Sequence, residues 1–256
     1  MGIMLRVEQL EYSYGKGKRL SRQKSSPFSI SKVNFELESG YILGVLGRNG
    51  SGKSTLYEIL YGNYKPKRGT IYWKGNPLQE KLLTARQEIA YAGHNPIFLV
   101  EAPVMDSVVL CSKLYPTFDM ECWREGLDCF EITEKMLHTK YIELSTGQRK
   151  RMELVFTLAR KPELFLLDEP TANLDPVFRQ RFMECIQRQV AERNASVVIS
   201  THIMADIENI ADYIMVLKKG TMMRFCDREQ LFEEGIEDFV EVIEQYEEFK
   251  SYQGKN

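Results

Sequence analysis

The chain has 256 residues, with 34 Lys and Arg against 36 Asp and Glu, so its formal net charge is −2. A hydrophobic fraction of 43% beside 27% charged residues can build a core, which excludes a disordered chain. No apolar run approaches the ~18 residues that a membrane-spanning helix needs. The near-neutral charge argues against a general nucleic-acid binder. We therefore expect one large globular domain, or two lobes, with no nucleic-acid partner.

The N-terminus and the cysteines favour a cytoplasmic protein. The first residues lack the basic and apolar regions of a secretory signal, and Arg6 stands where a myristoylation motif needs Ser or Thr. The five cysteines are odd in number and form no CxxC pair. They are expected to be reduced, small apolar side chains rather than a disulfide framework or a zinc site.

In chain order, the first predicted elements are strands. Apolar and polar residues alternate over Ile3–Gln9 and Phe28–Leu37, which is typical of half-buried antiparallel strands. Between them, Gly15–Ser26 carries five basic residues and no acidic one. This segment is either a solvated hairpin loop or a contact for anionic lipid or phosphate. The apolar run Tyr41–Leu46 suits a strand buried on both faces of a parallel sheet.

Further strands and helices alternate in the second half of the chain. The apolar runs Leu164–Leu167 and Val197–Ser200 predict strands, and helical patterns cover Gln148–Arg160 and Val177–Arg193. This alternation predicts an α/β fold with a parallel sheet. Because ligands of such sheets bind at the carboxyl ends of the strands, the polar residues that follow each strand are candidate site residues.

Two regions differ from this core. Asn95–Glu143 is rich in helical periodicity and aromatic residues, and Ile236–Phe249 has the pattern of an amphipathic terminal helix. The predicted organisation is a single domain of three parts. They are an α/β core with an antiparallel β subdomain (1–93 and 144–226), a helical subdomain (94–143) and an acidic C-terminal helix (227–256).

A phosphate-binding loop follows the first buried strand. Residues 47–55 match the pattern GxxxxGK[ST], in which glycines turn backbone N–H groups toward a phosphate and the next helix adds positive potential. Lys53 supplies a charge for the β- and γ-phosphates, and the Ser54 hydroxyl can bind Mg²⁺. The predicted loop residues are Gly47, Arg48, Asn49, Gly50, Ser51, Gly52, Lys53, Ser54 and Thr55.

Two acidic residues follow the apolar run Leu164–Leu167. Asp168 suits a partner of Mg²⁺, directly or through water. Glu169 is one residue further and points elsewhere, which suits a general base that polarises the attacking water.

The residues Leu144-Ser145-Thr146-Gly147-Gln148 resemble the LSGGQ signature of ATP-binding cassette (ABC) ATPases. The family's other motifs occur in the family's order. They are the phosphate loop, the strand ending in Asp168-Glu169, a D-loop-like Thr171-Ala172-Asn173-Leu174-Asp175 and a switch-like Ser200-Thr201-His202. Tyr14 stands where the family has an aromatic residue that stacks on adenine. The chain is identified as a member of this family, with a P-loop NTPase fold of the ABC ATPase type.

The resemblance implies a head-to-tail dimer with a second cassette, identical or different, and two ATP molecules between the subunits. Ser145, Gly147, Gln148 and Asp175 would then serve the partner's ATP. His202 would contact the γ-phosphate and the attacking water.

The sequence departs from the family at two positions. His94 stands where a Gln is expected, so it is a candidate for the site that binds Mg²⁺ and water; Asn95 or neither residue are the alternatives. Imidazole is a poorer partner for Mg²⁺ than an amide oxygen, although it can hydrogen-bond water. Thr146 replaces a signature Gly, which is tolerable if its φ is negative.

The length of the chain favours a transporter subunit. Each motif occurs once, whereas translation factors of the family usually carry two cassettes per chain. Only 88 residues, 56–143, separate the phosphate loop from the signature, whereas members that act in DNA repair or chromosome maintenance carry very long coiled coils there. The helical insert resembles the subdomain that receives a separate membrane-spanning permease. The stretch 114–119 is reminiscent of bacterial ABC-2-type exporters of drugs or antimicrobial peptides. We expect an ATPase at the inner face of the cell membrane that drives export; the alternative is a single-cassette ATPase with soluble partners, for example in iron–sulfur assembly.

Overall fold

The computed structural model describes residues 2–14, 28–93, 95–236, 239 and 241–242. The basic segment 15–26, His94 and most of the predicted helix Ile236–Phe249 lie outside these residues. Of that helix, Ile236, Phe239 and Val242 are described, and their side chains are buried in one apolar cluster. No helix of the described ranges is long and apolar enough to cross a membrane.

The described strands join in one ten-stranded sheet whose two halves are built differently. The strands are β1 (Ile3–Ser13), β2 (Ser29–Glu38), β3 (Ile42–Leu46), β4 (Arg68–Trp73), β5 (Asn76–Pro77), β6 (Ile89–Ala92), β7 (Leu164–Asp168), β8 (Ser196–Ser200), β9 (Tyr213–Lys218) and β10 (Thr221–Asp227). Their order across the sheet is β5-β4-β1-β2-β10-β9-β3-β8-β7-β6.

Helices cover the sheet and form the region that precedes the signature. They are α1 (Lys53–Leu60), α2 (Leu82–Glu88), α3 (Val104–Ser112), α4 (Met120–Cys129), α5 (Glu134–Leu137), α6 (Thr146–Ala159), α7 (Pro176–Arg193), α8 (Met204–Glu208) and α9 (Arg228–Glu233). Short 3₁₀ turns occur at Leu78–Glu80 and Tyr141–Glu143.

The first half of the sheet is antiparallel. The strands β1, β2, β4 and β5 pair in this way, and β2 alternates buried and more accessible residues along its length. The predicted strands Ile3–Gln9 and Phe28–Leu37 are therefore present, but β1 extends to Ser13 and β2 begins at Ser29. Such alternation places one face of the sheet on the core.

The second half is parallel except for the pair β9–β10. β6, β7, β8, β3 and β9 are parallel neighbours, and β10 turns back antiparallel to β9. Every residue of β3, β7 and β8 is buried, as their apolar runs predict. Helices on the faces of this half exclude water from both sides. The predicted α/β fold is confirmed, although the sheet as a whole is mixed.

A buried arginine connects the region 95–143 with the sheet. Arg160, at the end of α6, lies 3.6 Å from the ring centroid of Tyr115. Its guanidinium also donates to the carbonyl oxygens of Arg86 and Ile89, at 2.9 and 2.8 Å. Because an arginine is costly to bury without partners, these contacts define how the helices sit against β6.

Candidate active site

The phosphate loop turns between buried β3 and the start of α1. Gly52 occupies the N-cap position of α1 with φ 112°, and no side chain caps this helix. A Cβ at residue 52 would lie 2.6 Å from Phe28 Cζ and 2.9 Å from Ile30 Cδ1, so this turn requires glycine. An uncapped helix N-terminus presents N–H donors and positive potential to an anion.

Lys53 is held inside this loop and is only 6% exposed. Its ammonium donates to the carbonyl oxygen of Gly47 at 2.6 Å and lies 4.0 Å from Glu169 Oε1. Burial lowers the pKa of Lys53, and the neighbouring carboxylates of Glu169 and Asp168 oppose this shift. The lysine is therefore a desolvated cation at the place where the loop would surround a phosphate.

A cavity of about 460 Å³ lies over the loop. It is lined by Tyr14, Phe28, Asn49, Gly50, Gly52, Lys53, Ser54, Thr55 and Glu169. The other predicted loop residues are not among these lining residues and support the loop instead. The carbonyl oxygens of Gly47 and Arg48 accept from Lys53, and that of Ser51 accepts from the N–H of Gly220 at 2.6 Å.

Two aromatic residues form one side of the cavity. The Tyr14 hydroxyl lies 3.1 Å from Thr55 Oγ1, and the ring centroids of Tyr14 and Phe28 are 6.5 Å apart. The sequence motifs point to Tyr14 as a site residue but not to Phe28. The signal in the sequence is weak, because Phe28 is distinguished only as an aromatic residue at the start of a predicted strand.

The two acidic residues after β7 diverge. Asp168 is buried, and its Oδ1 accepts from the Ser200 hydroxyl at 2.9 Å. Glu169 has a left-handed backbone, with φ 49°, and its N–H donates to the Ser200 carbonyl at 3.0 Å. This turn carries the Glu169 carboxylate into the cavity, where Oε2 lies 3.6 Å from Nδ1 of the exposed His202.

The donor set of the cavity fits Mg²⁺ better than a softer metal. Ser54 and Glu169 line the cavity, and buried Asp168 directly precedes Glu169 in the chain, so the available ligands are oxygens. Within the described ranges, no group of three or more His, Cys, Asp or Glu residues could hold a metal ion. Mg²⁺ commonly takes only one or two protein ligands and completes its shell with waters and substrate phosphates. His94 lies outside the described residues.

The signature residues lie elsewhere. Ser145 caps α6 with a complete capping box, since its hydroxyl accepts from the Gln148 N–H at 3.2 Å and its own N–H donates to Gln148 Oε1 at 2.9 Å. Thr146 is the first helical residue, and its φ is not positive, so Thr is tolerated there. None of the described residues that line the 460 Å³ cavity belongs to this segment.

Asp175 lies at another exposed helix start. Its Oδ1 accepts from the N–H groups of Val177 and Phe178, at 3.1 and 3.2 Å, and so caps α7. In the single chain, the Asp175 carboxylate is therefore already hydrogen-bonded to the backbone of α7. Gly147 approaches the neighbouring segment, because a Cβ there would lie 3.6 Å from the Asn173 carbonyl oxygen.

A glycine-rich loop between a buried parallel strand and a helix, with its lysine beside an acidic strand end, defines a P-loop NTPase, and the signature segment marks the ABC ATPase type. Residues 30–172 match the family model described as ABC transporter. The chain belongs to this family and is an ATP-binding, ATP-hydrolysing subunit of the kind found in ABC transporters.

Several relatives agree with this assignment. The chain is 33% identical over 219 residues to the ABC transporter ATP-binding protein YtrB of Bacillus subtilis (strain 168), covering 86% of this chain and 74% of that protein. It is 30% identical over 247 residues to the energy-coupling factor transporter ATP-binding protein EcfA2 of Enterococcus faecalis (strain ATCC 700802 / V583), covering 90% and 81%.

Solved structures share the fold. An ATP-binding subunit of an ABC transporter superposes with a TM-score of 0.79 at 24% identity, over 93% of this chain and 97% of that one. A dimeric post-hydrolysis state of the ATP-binding cassette MJ0796, bound to ADP and Pi, superposes with a TM-score of 0.76 at 23% identity, over 88% and 98%.

Proposed function

We propose that this chain binds ATP and Mg²⁺ in the cavity over the phosphate loop and hydrolyses ATP when a second cassette closes over it. The energy would drive transport through a separate membrane-spanning subunit, at the inner face of the membrane. One observation carries the proposal: the nucleotide cavity is bounded by the loop and by Glu169, whereas the chain's own signature lies outside it, with Ser145 exposed.

Each residue near the cavity has a role that its geometry supports. Lys53 exchanges its carbonyl partners for β- and γ-phosphate oxygens, and the backbone of residues 47–55 surrounds them. Ser54 and Asp168 would hold Mg²⁺, and a bound Mg²⁺ would neutralise phosphate charge. Glu169 accepts a proton from the attacking water, and His202 beside it contacts the γ-phosphate. Tyr14 and Phe28 lie on the side where a purine ring would stack.

Dimer closure is supported by the exposed N-terminus of α6. A helix N-terminus stabilises a phosphate, and the one at Ser145 lies at the protein surface. Because α1 already serves the chain's own nucleotide, the α6 terminus would meet the ATP of a second copy or of a different cassette.

Glu169→Gln tests this closure, because removing the base would trap ATP between the subunits. We expect Glu169→Gln to form dimers with ATP and Mg²⁺ in analytical ultracentrifugation and to remain monomeric without nucleotide. Lys53→Ala in the same background is the control and should remain monomeric with ATP. A Glu169→Gln chain that binds ATP and stays monomeric would contradict the proposal.

An exposed apolar surface on the helical region supports a membrane-spanning partner. Val100 and Ile142 are adjacent, since the Ile142 N–H donates to the Val100 carbonyl at 3.0 Å. Leu110 lies in the last turn of α3, and Leu114 lies in the turn that follows this helix. These four residues, here named the α3 surface, are 40–62% exposed. Large exposed apolar side chains in one region are typical of a protein interface.

The occupant we infer for the α3 surface is a helix of the permease. Purification from detergent-solubilised membranes should recover a multi-span membrane protein with the wild-type chain. Leu110→Asp with Leu114→Asp should lose it, and Leu83→Asp, an equally polar change at an exposed leucine of α2, should retain it. Recovery of soluble scaffold proteins alone would contradict transport and support the assembly ATPase.

The export direction is supported by the likeness of residues 114–119 to ABC-2-type ATPases. Once the permease and its substrate are known, inverted membrane vesicles test the direction. ATP-dependent uptake into inverted vesicles is expected for an exporter. Uptake only into right-side-out vesicles with ATP inside would reverse the assignment.

A further inference from the structure

Tyr14, which lines the cavity over the phosphate loop, belongs to a larger aromatic cluster. Its ring contacts those of Tyr12 and Tyr64, and neither of these two is among the described residues that line the cavity. The ring centroids of Tyr12 and Tyr64 are 5.3 Å apart at an interplanar angle of 5°, so the two rings are stacked. We name Tyr12 and Tyr64 the tyrosine stack.

Tyr14 meets both members of the tyrosine stack at steep angles. Its ring centroid lies 5.2 Å from that of Tyr12 at an interplanar angle of 81°, and 5.8 Å from that of Tyr64 at 78°. Aromatic rings favour such edge-to-face contacts, because the positive edge of one ring is attracted to the negative face of the other. The Tyr14 ring is therefore held nearly perpendicular to the stack.

The hydroxyl group fixes the other end of the Tyr14 side chain. It lies 3.1 Å from Oγ1 of Thr55, in the first turn of α1. Tyr14 follows Ser13, the last residue of β1, so strand pairing does not set the place of its ring. The position of the ring follows instead from its contacts with the tyrosine stack, with Thr55 and with Phe28, whose ring centroid is 6.5 Å away.

The tyrosine stack is anchored on two elements. Tyr12 belongs to β1, whereas Tyr64 follows α1 and its N–H donates to the carbonyl oxygen of Glu58 at 3.3 Å. The Lys67 N–H then donates to the carbonyl oxygen of Glu11 at 2.8 Å, which joins the segment after α1 to β1. The stack therefore connects the strand that leads to Tyr14 with the helix that begins at the phosphate loop.

We propose that Tyr12 and Tyr64 are positioning residues for nucleotide binding: their stack holds the Tyr14 ring in one orientation, so that the base meets a ring that is already ordered. This inference rests on the proposed role of Tyr14 as a surface on which a purine stacks. A side chain that becomes ordered only on binding costs entropy, and a preorganised one avoids that cost. Loss of the Tyr64 ring should therefore weaken nucleotide binding and leave the hydrolytic step unchanged.

The test measures binding of the non-hydrolysable ATP analogue AMP-PNP, with Mg²⁺, by isothermal titration calorimetry. We expect Tyr64→Leu to raise the Kd about fivefold, because the edge-to-face contact with Tyr14 is lost. Tyr64→Phe keeps the ring and should stay within about twofold of the wild type. In steady-state ATP hydrolysis, Tyr64→Leu should raise KM by a similar factor, with kcat within about twofold.

Tyr72→Leu is the matched control, because this tyrosine of β4 contacts Arg6 instead of Tyr14. It should change neither the Kd of AMP-PNP nor the KM of ATP.

Inorganic tripolyphosphate separates positioning of the base from a general disturbance of the phosphate loop, since it carries phosphates but no base. Its Kd, with Mg²⁺, should stay within about twofold in Tyr64→Leu. Equal rises in the Kd of tripolyphosphate and of AMP-PNP would overturn the inference. Because Tyr64 acts through Tyr14, adding Tyr64→Leu to Tyr14→Ala should raise the Kd of AMP-PNP no further, and additive effects would also overturn it.

An unchanged Kd of AMP-PNP in Tyr64→Leu contradicts the inference directly. If Tyr64→Leu fails to fold by circular dichroism, Tyr12→Leu replaces it and should raise the Kd about threefold, and an unchanged Kd there has the same meaning. Tyr14→Ala separates the two proposals. An unchanged Kd in Tyr14→Ala contradicts base stacking itself, whereas weak binding by Tyr14→Ala with normal binding by Tyr64→Leu contradicts only the tyrosine stack.

Discussion

Two helix N-termini of this chain carry the motifs that we propose to bind phosphate, and the two ends are capped differently. At α1 the N-cap is Gly52, no side chain caps the helix, and a cavity lies over its first turn. At α6, Ser145 and Gln148 satisfy each other in a capping box at the surface. The donors of α1 are thus left for an anionic ligand, whereas those of α6 are already partly engaged. A phosphate from a second cassette would have to compete with the capping box, so we expect α6 to bind phosphate more weakly than α1 in the isolated chain.

The largest expected effect concerns the cation of the α1 site. Lys53→Ala should lower kcat for ATP by at least about a hundredfold, because the ammonium that we propose stabilises the γ-phosphate is lost. Phosphate release measures kcat, with Lys135→Ala, at an exposed lysine of α5, as the control. Substantial hydrolysis by Lys53→Ala would show that α1 does not hold the reacting phosphates.

Gly52→Ala tests the geometry that keeps α1 uncapped. It forces a Cβ against Phe28 at a left-handed φ, so we expect a loss of about 1–3 kcal/mol in the free energy of unfolding and weaker ATP binding. Urea unfolding measures the loss. Gly75→Ala is the matched control, because Gly75 also has a positive φ, 77°, but no atom would lie within 4 Å of its Cβ. Equal losses in Gly52→Ala and Gly75→Ala would show that backbone strain, and not the contact with Phe28, causes the loss of stability.

Ser145→Ala should affect α6 alone. Loss of the capping box is expected to cost about 1 kcal/mol of stability, while the Kd of ATP for the isolated chain stays within about twofold. Thermal unfolding and titration with a fluorescent ATP analogue measure the two effects. Weaker nucleotide binding by the monomeric variant would show that the signature contributes to the chain's own nucleotide site. It would contradict the separate roles of the α1 and α6 N-termini.

A third helix start, at α4, shows how a charged cap depends on pH. Asp119 accepts from the N–H groups of Glu121 and Cys122 and pairs with Lys161, and hydrogen bonding to Lys161 lowers the pKa of Asp119 to about 2. A lowered folded pKa stabilises the protein above the unfolded value of about 3.9, and this contribution is lost as the pH falls toward 2.

Because Asp119 is partly exposed, we expect Asp119→Asn to cost at most about 1 kcal/mol at pH 7. The difference between the variant and the wild type should shrink as the pH falls from about 4 to 2. Urea unfolding at several pH values checks this. A difference that is the same at pH 7 and at pH 2 would show that the charge of Asp119 does not contribute.

Local pattern was enough to predict most elements of the core. The apolar runs that became β3, β7 and β8 are buried throughout, and the glycine-rich loop lies between β3 and α1 as its spacing predicts. The helical pattern predicts a start at Gln148, whereas α6 begins two residues earlier, at Thr146. The reason is local too: Ser145 and Gln148 form a capping box that begins the helix at Thr146, and the spacing of Ser and Gln was visible in the sequence.

The sequence by itself determined the family, the phosphate loop and the acidic strand end, because these depend on residues that are neighbours along the chain. Only the tertiary structure decided that Phe28 lines the cavity over the phosphate loop and that Glu169 lies between Lys53 and His202. Those contacts join strands and helices far apart in sequence. Their geometry follows from how β3, β7 and β8 align in the sheet, which local residue patterns do not encode.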